Sequence, residues 1–144
     1  MARPPATVLA FDFGARRIGI AVGNTLTGSA RALTTIGERR DEPRWAAITR
    51  LIAEWQPQLL VVGLPVHADG TPHAMTAEAA AFAQRLRSTF ALPVETADER
   101  HTTQAAQGEI EAAGGGRAAR ASRDAIAARL ILQGWLDERT RAAS

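Results

Sequence analysis

The first ordered pattern along the chain is a short apolar run, Ala6 to Gly14, which reads as a β-strand. Ala15-Arg16-Arg17 follows as a tight turn, and Ile18-Gly19-Ile20-Ala21-Val22-Gly23 reads as a second strand, so the two are expected to form a hairpin. Ala32 to Ile36 is a third strand, with Thr34 and Thr35 favouring extended backbone. The period then changes. Asp41 to Trp55 sets Trp45, Ile48, Leu51, Ile52 and Trp55 on one helical face, and Pro57 ends the helix. Leu59-Leu60-Val61-Val62-Gly63-Leu64 is continuously apolar, as in a strand covered on both faces. A loop from Pro65 to Pro72 turns at Asp69-Gly70, Ala74 to Phe90 predicts a second helix, and Pro93-Val94-Glu95-Thr96-Ala97 a short strand. Thr102 or Thr103 caps a third helix reaching about Ala112, and Gly114-Gly115-Gly116 breaks it. Ser122 caps a last helix expected to bury Ile126, Leu130, Ile131, Trp135 and Leu136.

The predicted order is therefore β-β-β-α-β-α-β-α-α. An opening meander followed by βα units argues for an α/β fold with a mixed sheet and helices on both faces. At 144 residues the chain is expected to form one domain over 1–144, with a core of ordinary size. It contains no internal repeat, and the Gly/Ala/Arg stretch at 113–121 is expected to be a flexible loop.

Against this pattern one residue is out of place. Asp12 interrupts the apolar run Val8 to Gly14, although Asp is depleted in strands and a buried carboxylate without a partner is costly. It falls near the carboxyl end of the first strand, where open α/β sheets place their ligands. A strand-end Asp accepting backbone N–H bonds from the Gly14 turn is the plain structural alternative. Asp98-Glu99-Arg100 ends the Pro93 strand, and its acids are expected to leave a strand neighbouring that of Asp12 at the same edge. Alternation sends Asp98 and Glu99 to opposite faces, so one ligates directly; the longer Glu99 is the choice, with Asp98 adjacent or acting through water. Asp124 lies in the first turn of the last helix, where it would complement the helix dipole by about 0.3–1 kcal/mol. Its face, however, is shared by Ala128 and Ile131, which must pack on the sheet.

Gathered together, Asp12, Glu99 and Asp124 would supply hard oxygen ligands suited to Mg²⁺ or Mn²⁺. Two such ions roughly 3.5–4 Å apart clamp the attacking and leaving oxygens of an in-line phosphoryl displacement. Arg16, Arg17 and Arg100 flank these acids, while Arg117, Arg120 and Arg123 flank the glycine segment; beside such a site they would grip phosphates. His67 and His73, with only Asp69 nearby, do not read as a zinc site, and His101 reads as an exposed residue at a helix start.

Composition narrows the picture in three ways. All 17 Lys+Arg residues are arginine and the net charge is only +2, so affinity for nucleic acid must come from a local patch. No cysteine is present, which removes disulfides and thiolate metal sites. No apolar run has the length of a membrane span or a secretory signal, so a cytoplasmic protein is expected.

These residues resemble the YqgF family, also called RuvX-type Holliday junction resolvases, of the RNase H-like superfamily. The pieces that carry the resemblance are Phe11-Asp12-Phe13-Gly14 with Arg16-Arg17-Ile18-Gly19-Ile20-Ala21, then Val62-Gly63-Leu64-Pro65 with Asp69-Gly70, then Asp98-Glu99-Arg100 with Thr102-Thr103, and finally Asp124-Ala125-Ile126-Ala127-Ala128 with Ile131-Leu132. Each is weak alone, but four in order, from about Val8 to Leu136, are specific. The resemblance implies a five-stranded RNase H-like sheet, three strands antiparallel and then two parallel. It implies acids at Asp12, Glu99 and Asp124, with Asp98 adjacent. It further implies a bacterial cytoplasmic nuclease acting on the 5′ end of pre-16S ribosomal RNA, or on branched DNA. His101 stands where relatives often carry an apolar residue, and His67 replaces a more usual Asn or Asp.

Two readings from other classes compete. Asp12-Phe13-Gly14 before a strand also resembles the phosphate loop of actin-like ATPases, but those close a second domain over the nucleotide and this chain has no room for one. A non-catalytic RNA- or ribosome-binding protein with structural acids would bind no Mn²⁺ and cleave nothing. A resolvase making paired cuts should be a two-fold dimer, whereas an RNA-trimming enzyme can be a monomer or a homodimer.

Overall fold

Alternation along β1 (Thr7–Phe13) sends Leu9 and Phe11 to one face of a sheet and Val8 and Ala10 to the other, and all four are fully buried. The computed structural model describes residues 6–14, 16–65, 74–98 and 117–143, with only the backbone described for 117–122 and 142–143. β2 (Ile18–Asn24), β3 (Ser29–Ile36), β4 (Leu59–Leu64) and β5 (Val94–Asp98) complete a five-stranded sheet in the order β3-β2-β1-β4-β5. β1–β2 and β2–β3 are antiparallel, β1–β4 and β4–β5 parallel. This is the mixed sheet expected from the sequence. β3 begins three residues before the expected Ala32, because Asn24↔Ser29 and Gly23↔Ala30 continue the ladder down to a turn at Thr25–Gly28. Asn24 Oδ1 accepts the Leu26 N–H at 2.7 Å there, a side-chain stop for the strand.

Both faces are covered. On one, α1 (Asp41–Trp55) and α2 (Thr76–Phe90) bring Ile48, Phe82, Ala83 and Leu86 against Leu9, Phe11, Ile18, Ile20, Leu60 and Val62. The edge of Phe11 meets the Phe82 ring at 5.7 Å. Arg85 of α2 clasps Asp41 of α1 through two hydrogen bonds of 2.6 and 3.0 Å and lies over Trp45 at 4.2 Å, tying the helices together. Helix periodicity alone missed Arg44, which is buried beneath this layer. Its Nε donates to the Glu38 carbonyl at 2.8 Å and its guanidinium sits 5.9 Å from the Phe13 ring centre, which is how the charge is tolerated.

On the other face lies one long helix, α3 (Arg117–Ala143). Ala128, Ile131, Leu132 and Leu136 pack on Val8, Ala10, Ala21, Leu59 and Val61. Two expectations need correction. The helix starts at Arg117, five residues before the expected Ser122 cap, so 117–121 of the expected flexible loop is helical. Ala and Arg are among the strongest helix formers, and Arg117-Ala118-Ala119-Arg120-Ala121 contains nothing else. The buried stripe also differs: Ala125 and Leu132 are buried, while the expected Ile126, Leu130 and Trp135 are only half-buried. The reason is the surface below, where β2 presents Gly19, Ala21 and Gly23, and a helix that approaches so closely buries its small residues first. Residues 102–112, expected to form another helix, and 113–116 lie outside the described residues.

The closest of these approaches is at Gly19. A β-carbon there would stand 1.9 Å from the Asp124 carbonyl oxygen and 2.3 Å from its carbon. Gly19→Ala is therefore expected to lower unfolding stability by about 1–3 kcal/mol or more, since backbone on both sides must shift. Chemical denaturation measures this, and an alanine variant as stable as the parent would show that α3 does not rest there.

Candidate active site

The parallel strands set where the acids stand. β1, β4 and β5 run the same way, so their carboxyl ends lie along one edge of the sheet, and the register puts Asp12, Gly63 and Ala97 in one row. Asp98 is one residue further along β5, opposite Leu64. The sequence reading had Asp12 and Asp98 on neighbouring strands. They are not: β4 lies between, which puts β1 and β5 about 10 Å apart at normal strand spacing. The two strands are consecutive members of the sheet's parallel half only through β4, a fact of topology that composition does not carry.

Asp12 shares the parity of Val8 and Ala10, so it belongs to the α3 side of the sheet, and it is half-buried there. Its partners in the two adjacent strands are both glycine, Gly19 on β2 and Gly63 on β4. Neither flanking residue therefore carries a side chain, and on the Gly19 side the α3 backbone at Asp124 takes that space. Because the Asp124 backbone rests on Gly19, the helix delivers Asp124 to the position beside Asp12. These two acids, distant in sequence, are brought together.

Asp124 is held by an ion pair. Arg17, on the turn between β1 and β2, donates its Nε–H to Asp124 Oδ2. That turn is itself tightly closed: a β-carbon on Gly14 would stand 2.7 Å from the Arg17 carbonyl oxygen, so only glycine fits without movement. The geometry explains why Gly14 and Gly19 bracket the two arginines. Arg16 is exposed and Arg17 half-buried at the same edge, and Arg123 is half-buried one residue before Asp124.

The remaining expected residues divide. Asp98 has the parity of Val94, which packs under α1 and α2, whereas Glu95 and Ala97 face α3, Glu95 accepting the Trp135 indole N–H at 3.2 Å. As the last residue of the edge strand, Asp98 still borders a groove of about 500 Å³ between β5 and α3, together with Thr96, Ile131 and Trp135. Glu99, Arg100 and His101 lie outside the described residues, as do the side chains of Arg117 and Arg120. Among the described residues no cluster of three or more His, Cys, Asp or Glu forms a metal cage. The donors that are described, two carboxylates on elements that meet at Gly19, fit a hard divalent cation in chemistry. Asp124 already matches one cation, the Arg17 guanidinium. Sequence reasoning assigned Arg17 to phosphate and missed this pairing; Gly19, an unexplained glycine in a strand, was the signal that another backbone comes close.

The Arg17–Asp124 pair is partly open, with 38% and 23% of the side chains exposed, so it contributes little to folding. Asp124→Asn is expected to change unfolding stability by less than about 1 kcal/mol. A loss of several kcal/mol in thermal or chemical denaturation would assign Asp124 to the fold rather than to a site.

Comparison with known proteins gives the same outline. A family model described as "RuvX: Holliday junction resolvase" matches residues 6–138. A protein of Dechloromonas aromatica named "Putative pre-16S rRNA nuclease" is 54% identical over 132 residues, covering 91% of this chain and 90% of that one. One of Pseudomonas putida with the same name is 51% identical over 135 residues, covering 92% and 96%. Among solved structures, Thermus thermophilus RuvC in complex with a Holliday junction substrate superposes with a TM-score of 0.57 at 18% identity, covering 93% of this chain and 95% of that one. At that level of identity the superposition shows a shared fold alone.

Proposed function

The chain belongs to the RuvX family, and on that footing we propose that it is a divalent-metal-dependent nuclease that matures the 5′ end of pre-16S rRNA in the cytoplasm. The observation that carries the reading is the meeting of Asp12 and Asp124 over Gly19 at the carboxyl edge of the parallel strands. Hydrolysis of a phosphodiester needs charge stabilisation where negative charge builds up on the phosphorane-like oxygens, and a water aligned behind phosphorus. Mg²⁺ or Mn²⁺ held by Asp12, Asp124 and Glu99, with Asp98 adjacent, would supply Lewis acidity and lower the pKa of a bound water. The chain's own part is placement. Asp12 is fixed by a central strand paired on both sides, and Asp124 by a helix seated on that strand's neighbour. Arg16 and Arg17 at the β1–β2 turn, with Arg100, Arg117, Arg120 and Arg123, would bind phosphates flanking the cut.

The reading favours RNA because the relatives covering nine-tenths of the chain carry a pre-16S rRNA nuclease name. Resolution of four-way DNA junctions is the second reading, favoured by the description of the family model. It would require a homodimer with two sites, whereas RNA trimming is compatible with a monomer and with docking on the ribosome or its precursors. Among the described residues no helix is long and apolar enough to cross a membrane.

Purified protein with Mn²⁺ should cleave an RNA carrying the 5′ precursor segment of 16S rRNA in preference to a synthetic four-way junction. Asp12→Asn should keep the circular dichroism spectrum and lose at least about 100-fold in rate, beyond the 10–100-fold typical when an outer-shell partner is removed. Preferred junction cleavage would move the assignment to the second reading; undiminished cleavage by Asp12→Asn would remove Asp12 from the site.

A further inference from the structure

Asp12 pairs with Gly19 and the Asp124 backbone rests on Gly19, so two acids stand on neighbouring backbone, and like charges set near each other repel unless a cation is at hand. The structure provides one from its own chain, the Arg17 guanidinium on Asp124. The form of that contact matters. It is made end-on through Nε to a single carboxylate oxygen, and among the described residues the two terminal nitrogens of Arg17 make no further hydrogen bond. A guanidinium meant to lock a carboxylate uses its two-pronged fork, as Arg85 does on Asp41. Among the described residues the fork of Arg17 is left over, on a side chain 38% exposed at the edge where a phosphate backbone would pass. Beneath it, Gly14 packs directly under the Arg17 carbonyl. Only the side chain has to turn for the contact to be exchanged.

We propose that Arg17 is a place-holder cation: its guanidinium occupies Asp124 while no divalent ion is bound and passes to a substrate phosphate when one is, so that ion and nucleic acid bind cooperatively. This rests on the nuclease reading above and adds to it an order of events. With the ion absent, Arg17 partly neutralises Asp124 close to Asp12, while apolar packing holds α3 on the sheet. With the ion present, Asp124 no longer needs Arg17, and the freed fork matches two oxygens of a phosphate. By linkage, whatever factor the ion adds to nucleic-acid affinity, nucleic acid adds to ion affinity. An opposite role is physically reasonable and makes the opposite prediction. As an outer partner that orients a ligating carboxylate, Arg17 would strengthen ion binding, and its loss would weaken that binding about 10–100-fold.

The test is calorimetric titration of Mn²⁺ into the parent protein, Arg17→Gln and Arg17→Lys, with single-stranded RNA binding followed by fluorescence anisotropy in EDTA and in Ca²⁺. The expected result is Mn²⁺ binding about two- to fivefold tighter in Arg17→Gln, the range of a partly exposed ion pair, and close to the parent value in Arg17→Lys, which keeps the charge. Ca²⁺ should raise the RNA affinity of the parent and leave that of Arg17→Gln nearly unchanged. Circular dichroism and melting temperature of the three ion-free proteins show that each is folded, with Arg17→Gln melting lowest. Weaker or equal Mn²⁺ binding by Arg17→Gln, with Mn²⁺-dependent cleavage retained in the parent, overturns the place-holder while leaving the nuclease. No Mn²⁺ binding by any of the three overturns both.

Discussion

The seating of one helix backbone on one glycine is the constraint on which the rest depends. α3 carries Asp124, and it reaches β1's acid only because β2 offers no β-carbon at position 19. Everything else in the arrangement serves that contact. Ala21 and Gly23 continue the shallow track along β2, and Ala125, Ala128 and Leu132 fill it. The opposite face of the sheet, where Phe11 meets Phe82 and α1 and α2 are clasped by Arg85, holds β1 rigid from behind. A carboxylate mounted on such a strand loses little freedom when it takes a ligand, so binding energy is not spent on ordering it.

The same geometry sets a conflict that the chain resolves locally. In the proposed reading Asp12 and Asp124 are the donor pair for a divalent cation, and like charges set near each other repel when no cation is at hand. The segment between β1 and β2 answers it by placing Arg17 against Asp124, with Gly14 packed under the Arg17 carbonyl. Active sites and stability commonly pull in opposite directions, and here the compensating cation comes from the β1–β2 connection to an acid on α3.

How much of this was legible in the sequence depended on how local each cause was. β1, β2, β4 and α1 follow from runs of apolar residues and a change of period, and the structure places them within a residue of where that pattern does. Asp12 stood out because Asp is depleted in strands and its neighbours along the run are apolar. What was misplaced depended on partners far along the chain. That β4 separates β1 from β5 is a matter of strand order; that Leu130 is half-buried while Ala125 is buried follows from glycines on another strand. Arg44 is buried because Phe13 and the Glu38 carbonyl await it, which no helical wheel of α1 can show. The start of α3 is the reverse case: the glycines before it invited a loop reading, although Arg117 to Ala121 are all helix formers. The Arg17–Asp124 pair joins residues 107 apart and was legible only in hindsight, through Gly19.

The central claim is that side chains from β1, from the segment after β5 and from α3 converge on one divalent cation. A crystal grown in Mn²⁺ and measured at the manganese absorption edge addresses it directly. The account predicts an anomalous peak bonded to carboxylate oxygens of Asp12, Asp124 and Glu99. A peak elsewhere, or an empty map at these acids in protein that cleaves RNA with Mn²⁺, would contradict it.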